Sequence, residues 1–324
     1  MAKTAVGIDI GHDTLRVVSL VPSGKFKLAG LNTVNIPPGS WTQDALQNID
    51  QIAKALDMAL FSAKPHKITS RIARFALPER VVFSGSMTVA NNPKEMKTSV
   101  PLQASDKLSI DLDQYYLDWE ITESQICFPD EQKFKDKKEV TVFVIAAKKT
   151  LIDSLVELSE MAKIEIASIN VKPSAIALSV LSANDSISRV IMDLGVSSTG
   201  IAILRGRSLA LISTVPIGTK DYIQSPTDNA FIVKPRITAI FDEVVHAIKF
   251  YENRLCPSQK VDEIVLAGNG ANLEHCEEIF RHEVGLLTVV GNPFERVDTR
   301  HFPLPKDLSR TLADAVGLAM ATDD

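Results

Sequence analysis

The sequence predicts an α/β fold built from two related lobes, and three observations support this prediction. The chain has 324 residues, of which 45% are apolar, so it is long enough for two lobes with substantial cores. An apolar strand that ends in Asp-x-Gly occurs twice, as VGIDIGHDTL from Val6 and as VIMDLGVSSTG from Val190. Two further strands follow each copy, and repetition of a whole three-strand unit implies two lobes that face each other.

Hydrophobic periodicity and turn residues define the elements of the first half. Apolar alternation predicts strands at residues 5–10, 15–21, 26–36 and 68–77. Thr42 is predicted to cap a helix whose apolar positions run from Ala45 to Leu60. Strands at 81–89, 115–122 and 140–147, with helices at 93–104 and 149–162, predict a small α/β insertion over residues 79–165.

The second half repeats the opening pattern after a strand at 164–171 and a helix at 173–181. Strands at 189–194, 200–204 and 208–215 correspond to the first three strands of the chain. The remaining predicted elements are a helix at 237–254, a strand at 263–267, a helix at 273–282, a strand at 286–290 and a closing helix at 309–321.

The tips of the two repeated hairpins have residue types that suit phosphate binding. Glycine lets backbone N–H groups close around an anion, and hydroxyl groups add donors. A carboxylate at a strand end is suited to hold a hydrated Mg²⁺ ion, so we assign Asp9 and Asp193 as water-mediated metal ligands. The predicted phosphate-binding residues are Gly11, His12, Asp13, Thr14 and Arg16 in the first tip and Gly195, Ser197, Ser198 and Thr199 in the second. An alternative stays open, in which the two aspartates only cap turns.

A third segment is predicted to reach the same site. IVLAGNGANL, from Ile264, is a buried strand followed by a glycine-rich turn and a helix start. Backbone amides at such a turn favour phosphate or ribose oxygens. The nucleotide contacts predicted in this segment are Gly268, Asn269, Gly270 and Asn272.

Composition argues against two classes of partner. The formal net charge is −5, so general attraction to nucleic acid is not expected. No apolar run approaches the ~20 residues of a membrane-spanning helix, so no direct membrane insertion is expected. Three widely separated cysteines, Cys127, Cys256 and Cys276, are typical of a reducing compartment, and we predict a cytoplasmic protein.

The order of these motifs, followed by the closing segment ADAVGLAMA from Ala313, resembles the actin, hexokinase and Hsp70 ATPase superfamily. The insertion is similar to that of the type IV pilus assembly protein PilM family, a relative of the division protein FtsA. The segments that show this similarity are ALPERVVF from Ala76, KLSIDLDQYYLDWEI from Lys107 and VFVIAAKKTLIDSLVELSEMAKIEIASINVKPSAIAL from Val142. The resemblance covers nearly the whole chain except residues 219–236.

The resemblance implies a duplicated, ribonuclease H-like fold of the actin type, with four subdomains around a central cleft. The expected subdomains are 1A at residues 1–78 and 166–188, the inserted 1C at 79–165, 2A at 189–218 and 258–308, and a shortened 2B at 219–257, with 309–324 closing onto 1A.

The resemblance also implies ligands and partners. ATP with Mg²⁺ is expected in the cleft. The expected partner is the N-terminal cytoplasmic peptide of a PilN-like inner-membrane protein, bound in a groove between 1A and 1C. Contacts with other pilus components, self-association and a position at the inner face of the inner membrane are expected as well. We interpret Tyr115, Tyr116 and Trp119 as core of the insertion rather than as groove residues.

Three departures from the family pattern argue against ATP hydrolysis. His12 and Asp13 replace small hydroxyl residues, and a carboxylate ~4 Å from a phosphate costs roughly 1–4 kcal/mol unless Mg²⁺ or Arg16 offsets it. Lys172 stands where family members usually have Glu, which removes a potential acid. The shortened segment 219–236 lacks the length to rebuild the adenosine-contacting helices. We therefore expect ATP binding with little or no hydrolysis and assign no catalytic residue.

Three alternatives remain. A degenerate actin-like interaction module would bind no nucleotide, and calorimetry with Mg-ATP distinguishes it. An FtsA-like cytoskeletal protein would have a C-terminal amphipathic anchor, which is not expected here because the chain stops at Asp324 directly after the closing helix. A phosphotransferase of the sugar-kinase type would need a catalytic Asp with a sugar-binding segment, and none is evident between the two hairpins.

Overall fold

The computed structural model of the chain describes residues 5–122, 138–183, 186–222 and 237–322. Cys127 and most of the segment 219–236 lie outside these ranges. The strands are β1 (Val6–Ile10), β2 (Thr14–Val21), β3 (Phe26–Asn35), β4 (Lys64–Pro65), β5 (Ile72–Leu77), β6 (Val82–Ala90), β7 (Tyr115–Ile121), β8 (Glu139–Lys148), β9 (Glu165–Val171), β10 (Ser188–Leu194), β11 (Thr199–Arg205), β12 (Ser208–Val215), β13 (Val261–Ala267), β14 (Leu287–Val290) and β15 (Val297–Asp298). The helices are α1 (Ile49–Phe61), α2 (Pro93–Leu108), α3 (Lys149–Met161), α4 (Lys172–Val180), α5 (Thr219–Tyr222), α6 (Thr238–Phe250), α7 (Cys276–Val284), α8 (Lys306–Arg310) and α9 (Ala313–Met320).

The two main sheets confirm the predicted duplication. The first has the order β15-β3-β2-β1-β5-β9, with β4 paired to β3, and the second has the order β12-β11-β10-β13-β14. In each sheet the first strand of the repeat pairs antiparallel with the next strand and parallel with a later one, as β1 does with β2 and β5. The strands β10, β11 and β13 show the same arrangement. Because the later strands are parallel to β1 and β10, their carboxyl ends meet the tips of the hairpins.

Helix α4 lies between the two lobes and so positions the residue at its start. Its apolar side chains Ile176 and Ala177 belong to a buried cluster that also contains Ile191 and Ala202 of the second sheet. Helix α9 packs against α4 and against β1 and β2 of the first sheet, and its first residue, Ala313, belongs to the same buried cluster. The start of α4 and the start of α9 therefore both lie at the boundary between the lobes.

The insertion has its own sheet, in the antiparallel order β6-β8-β7, with α2 packed on it. Helix α3, which the sequence analysis includes in the insertion, packs instead in the first-lobe core. Its residues Leu151 and Leu155 share a buried cluster with Ile52 and Leu56 of α1. Strand β15 pairs with β3 in the first lobe, whereas the sequence predicts that residues 258–308 belong to the second lobe.

The helix start predicted at Thr42 is wrong, since α1 begins at Ile49. The Thr42 hydroxyl donates to the Ala45 carbonyl at 2.8 Å and accepts from the Ala45 amide at 3.0 Å, which closes a local turn. The reason is the buried indole of Trp41, whose Nε1–H donates to the carbonyl of Ile10 at 2.6 Å. This contact holds the chain against β1 before the helix begins.

Other elements differ less from the predictions. The predicted closing helix is split into α8 and α9, and the helix predicted from Leu273 begins at Cys276 because residues 269–272 form a 3₁₀ turn. Cys256 and Cys276 are buried, and neither forms a disulfide in the described ranges. None of the helices in those ranges combines the length and apolar character needed to cross a membrane.

Candidate functional site

The tips of both Asp-x-Gly hairpins line one cleft between the lobes. The cavity at this point encloses about 80 Å³. Ten of the residues predicted from the sequence line it, and they come from all three motifs: Gly11, His12, Asp13, Arg16, Asp193, Gly195, Ser197, Ser198, Gly268 and Asn269. The structure therefore brings the two tips and the glycine-rich turn together.

The glycine amides themselves close the turns rather than face the cleft. The N–H groups of Gly11 and Gly195 each donate to the carbonyl three residues on, at 2.8 and 3.1 Å. The amides of residues 12–13 and 196–197 donate no hydrogen bond to any other part of the described chain. These amides, together with the hydroxyl groups of Ser197 and Ser198, are the donors available to an anion.

A buried ion cluster lies at the base of the cleft. The carboxylate of Asp9 is fully buried, with Arg16 Nη1 2.6 Å from Oδ2 and Lys172 Nζ 2.8 Å from Oδ1. The Lys172 contact is an ion pair outside the preferred hydrogen-bond direction. Lys172 Nζ also lies 3.1 Å from Asp314 Oδ2. The start of α4 thus places one ammonium group between carboxylates from β1 and α9.

The charges of this cluster determine its protonation. Burial by itself would raise the pKa of Asp9, but the charges of Lys172 and Arg16 outweigh it and hold the pKa below the usual value. Burial also opposes the charge on Lys172, yet the surrounding carboxylates raise its pKa well above the ordinary value. Both groups are therefore ionised at neutral pH.

Three further carboxyl groups near the cluster have raised pKa values. Burial, followed by the charge of Asp9, raises the pKa of Asp314 to about 6 and also raises that of Asp193. Burial and the charge of Asp193 raise the pKa of Glu79 to about 8. Glu79 is therefore mostly protonated at neutral pH, whereas Asp314 is mostly ionised.

Both the backbone conformation and the surroundings of position 268 require glycine. Its φ of 81° lies in the left-handed region, and a Cβ atom there would lie 2.3 Å from Oδ1 of Asp193. The turn thereby brings the backbone of the third motif directly against the carboxylate of the second hairpin.

Five predicted site residues do not line the cleft: Asp9, Thr14, Thr199, Gly270 and Asn272. Two of them have clear supporting contacts. The buried hydroxyl of Thr199 donates to the carbonyl of Ile217 at 2.8 Å and so fixes the second tip. The side-chain amide of Asn272 donates to the carbonyl of Asp307 at 3.0 Å and holds α8.

Sequence reasoning missed several residues that line the cleft, namely Glu79, Arg80, Arg310 and Asp314. It noted Lys172 only as a departure from the family pattern. Glu79 directly follows Pro78 at the end of β5, and Asp314 lies in the ADAVGLAMA segment, so both belong to quoted motifs. Their roles depend on Asp193 and Lys172, which are close in space but distant in the sequence. No local sequence pattern reveals such partners.

The predicted Mg²⁺ site does not fit at Asp9. Both of its oxygens contact cations, and the side chain has no exposed surface. No group of three or more His, Cys, Asp and Glu residues in the described ranges is arranged to hold a metal ion. Asp193 is the one predicted ligand that lines the cleft.

The donors of the cleft suit a phosphate group, but the cavity is too small for a whole nucleotide. Pockets for organic ligands usually enclose roughly 300–1,000 Å³, well above the 80 Å³ found here. A whole nucleotide therefore requires the lobes to move apart.

A second cavity, here called the trough, lies between the insertion and the first lobe and encloses about 460 Å³. Its apolar surface comes from β7, β8, β9 and α4, and the polar side chains Asp118, Glu120 and Arg207 also line it.

Tyr116 is 50% exposed and lines the trough, so its interpretation as core is wrong. Trp119 packs against the insertion core and also lines the trough. In the described part of the chain, β7 pairs with β8, and no described strand pairs with its other edge along residues 115–120.

The chain matches a model of one protein family. The family is described as Type IV pilus assembly protein PilM, and its model matches residues 7–227 and 218–323.

Solved structures share the fold. A PilM–PilN type IV pilus biogenesis complex has a TM-score of 0.80 at 20% identity, with 98% of each chain covered. MreB5 of Spiroplasma citri bound to ADP has a TM-score of 0.52 at 10% identity, covering 97% of this chain and 95% of that one. The ethanolamine utilization protein EutJ from Carboxydothermus hydrogenoformans has a TM-score of 0.52 at 13% identity, covering 98% and 89%. These neighbours confirm the predicted actin-like fold.

A curated relative is the cell division protein FtsA of Bacillus subtilis strain 168. It is 24% identical over 271 residues, which cover 74% of this chain. The chain spans 59% of the length of that relative.

Proposed function

The chain belongs to the type IV pilus assembly protein PilM family, and on this premise we propose that it is an actin-like scaffold that binds a PilN-like inner-membrane protein. The bound element is the N-terminal cytoplasmic peptide of that partner. The scaffold works in a type IV pilus or a related secretion or DNA-uptake machine. It lies in the cytoplasm at the inner face of the inner membrane, held there by its partners, and associates with itself and with other components of the machine.

The trough is the observation that favours peptide binding. It combines an apolar surface with the edge of β7 along residues 115–120, which no described strand covers, and it lies where the insertion meets the first lobe. An extended peptide is able to pair its backbone with such an edge while its alternate side chains enter apolar pockets. The solved PilM–PilN complex supports the identity of the partner, because a chain of that complex shares this fold over its whole length.

The geometry limits the stretch of β7 along which a peptide is able to lie. The side chains of Tyr116, Asp118 and Glu120 alternate with those of Leu117 and Trp119 along β7. Glu120 Oε1 accepts from the Leu209 amide at 3.2 Å, which closes one end of the trough against the second lobe. A peptide on β7 therefore runs between this closed end and Tyr116, with apolar side chains directed towards Ile145 and Ile169.

Calorimetry with a synthetic peptide of the partner's N-terminal cytoplasmic segment tests this function. Wild-type protein is expected to bind, and Tyr116→Ala is expected to weaken binding by about tenfold, because an aromatic anchor is lost. The control is Phe61→Ala, which removes another exposed aromatic ring, 76% exposed and outside the trough. Absence of peptide binding by the wild-type protein would exclude the proposal.

A second ligand is proposed for the cleft between the lobes. The free amides of both tips and the seryl hydroxyls favour the phosphates of ATP, which acts as a structural or regulatory ligand. MreB5 of the same fold was solved with ADP, which supports a nucleotide of this class. We expect little hydrolysis, because Lys172 and Arg16 neutralise Asp9 and leave it unsuited to accept a proton.

Two measurements test this second ligand. Calorimetry measures the binding of ATP, and a phosphate assay over hours measures its hydrolysis. Binding without phosphate release is expected. The small cavity favours the alternative of an interaction module that takes no nucleotide, and complete absence of binding would select that alternative.

A further inference from the structure

Lys172 places a cation of the chain itself at the base of the cleft. Its Nζ lies 2.8 Å from Oδ1 of Asp9 and 3.1 Å from Oδ2 of Asp314, and its side chain is 11% exposed. One ammonium group therefore lies between a carboxylate of the first hairpin and a carboxylate of the closing helix.

The geometry of these contacts leaves little place for a divalent ion. Mg²⁺ requires octahedral oxygen ligands at about 2.0–2.1 Å, whereas both oxygens of Asp9 already contact cations and the side chain has no exposed surface. A metal ion added beside the ammonium and guanidinium groups would also be repelled by both.

The same cations are able to act on a polyphosphate. An ammonium group has three N–H donors, and the two carboxylate contacts leave one for another oxygen. Arg16 lines the cavity, and its Nε has no partner among the described residues. Both side chains lie beside the hairpin tip with the free amides of residues 12–13.

We propose that the ammonium group of Lys172 takes the place of a divalent cation in this cleft, so that ATP binds there without Mg²⁺. This inference rests on the proposed nucleotide binding and adds its ion dependence. Lys172 offsets the charge of Asp9 and Asp314, and it donates to a phosphate oxygen when the lobes admit the nucleotide.

Calorimetric titration of ATP in excess Mg²⁺ and in excess EDTA tests the inference. For the wild-type protein the two dissociation constants are expected to agree within about threefold. Lys172→Gln removes the resident cation and frees the carboxylates for a hydrated metal ion. This variant is expected to bind ATP at least about tenfold more tightly with Mg²⁺ than with EDTA. The matched control is Lys54→Gln on the exposed face of α1, which is expected to behave like wild type.

Circular dichroism checks that the Lys172→Gln variant folds, because loss of the ammonium group leaves buried carboxylates facing each other. If it does not fold, the double variant Lys172→Gln/Asp314→Asn removes one charge of each sign and is expected to show the same Mg²⁺ dependence. Mg²⁺-independent binding by both the variant and the wild type would show that Lys172 is not the replacing cation.

The remaining outcomes separate the two proposals. Wild-type binding only in Mg²⁺ would overturn the inference and leave nucleotide binding in place. Absence of ATP binding in both buffers would overturn nucleotide binding and the inference together, while peptide binding in the trough would remain unaffected.

Discussion

Glu79 of the first lobe packs directly against Gly200 of the second. A Cβ atom on Gly200 would lie 2.4 Å from Oε1 of Glu79, so the carboxyl group occupies the space that any larger residue would need. Glu79 begins the 3₁₀ turn after β5, and Gly200 pairs with Asp193 in the second hairpin. This contact joins the lobes beside the ion cluster.

Gly200→Ala is expected to destabilise the protein by about 1–3 kcal/mol, because the methyl group overpacks this contact. Urea denaturation measures the change. Gly24→Ala is the control, since a Cβ atom at Gly24 meets nothing within 4 Å. Equal stability of the two variants would show that the lobes do not meet at Gly200.

The raised pKa of Glu79 predicts a loss of stability at alkaline pH. The folded protein holds this proton up to a pKa of about 8, whereas the unfolded chain releases it near 4.5. Between these values the native state binds more protons than the unfolded state, so the free energy of unfolding falls as pH rises. Between pH 6 and pH 9 the expected loss is about 2–3 kcal/mol.

Glu79→Gln keeps the shape of the protonated acid and removes its titration. Its free energy of unfolding is expected to change less than that of wild type over the same pH interval, as measured by urea denaturation at each pH. Parallel curves for the two proteins would show that Glu79 does not titrate with a pKa of about 8 in the folded protein.

Asp9→Asn is expected to destabilise the fold by about 3–5 kcal/mol, because it leaves Arg16 and Lys172 buried without their shared carboxylate. The control is Asp57→Asn in the Arg71–Asp57 pair, whose side chains are 53% and 56% exposed. Such surface pairs contribute less than about 1 kcal/mol. Thermal or urea unfolding of the two variants distinguishes the buried cluster from a surface pair.

Gly268→Ala is expected to destabilise the protein more than Gly285→Ala. Both glycines have a positive φ, 81° and 79°, but ψ is −174° at Gly268 and 17° at Gly285. An alanine adopts the αL conformation of Gly285 at a cost of about 1–2 kcal/mol, whereas the conformation of Gly268 is essentially restricted to glycine. A Cβ atom at Gly268 also meets the carboxylate of Asp193, whereas one at Gly285 meets nothing within 4 Å. Urea denaturation compares the two variants, and the larger loss at Gly268 is expected from its backbone conformation and its contact with Asp193 together. Equal losses would contradict this prediction.

Local sequence was sufficient for most of the fold. The three-strand repeats were placed within one or two residues, because alternation of apolar residues and tight turns act over short distances. The start of α1 was not predicted, since Trp41 is held by a hydrogen bond to Ile10 that no local pattern reveals. The trough had no predicted residues for the same reason, as it forms only where β7 meets β9 and α4.

The sequence by itself determined the duplicated lobes, the family and the residue types at the hairpin tips, because each of these depends on short motifs. Only the tertiary structure decided that Asp9 faces Lys172 and Arg16 and that Glu79 faces Gly200. Such partners come from distant parts of the chain, and burial makes their charges act strongly on one another. The chemistry of the cleft therefore depends on how the lobes and α4 pack.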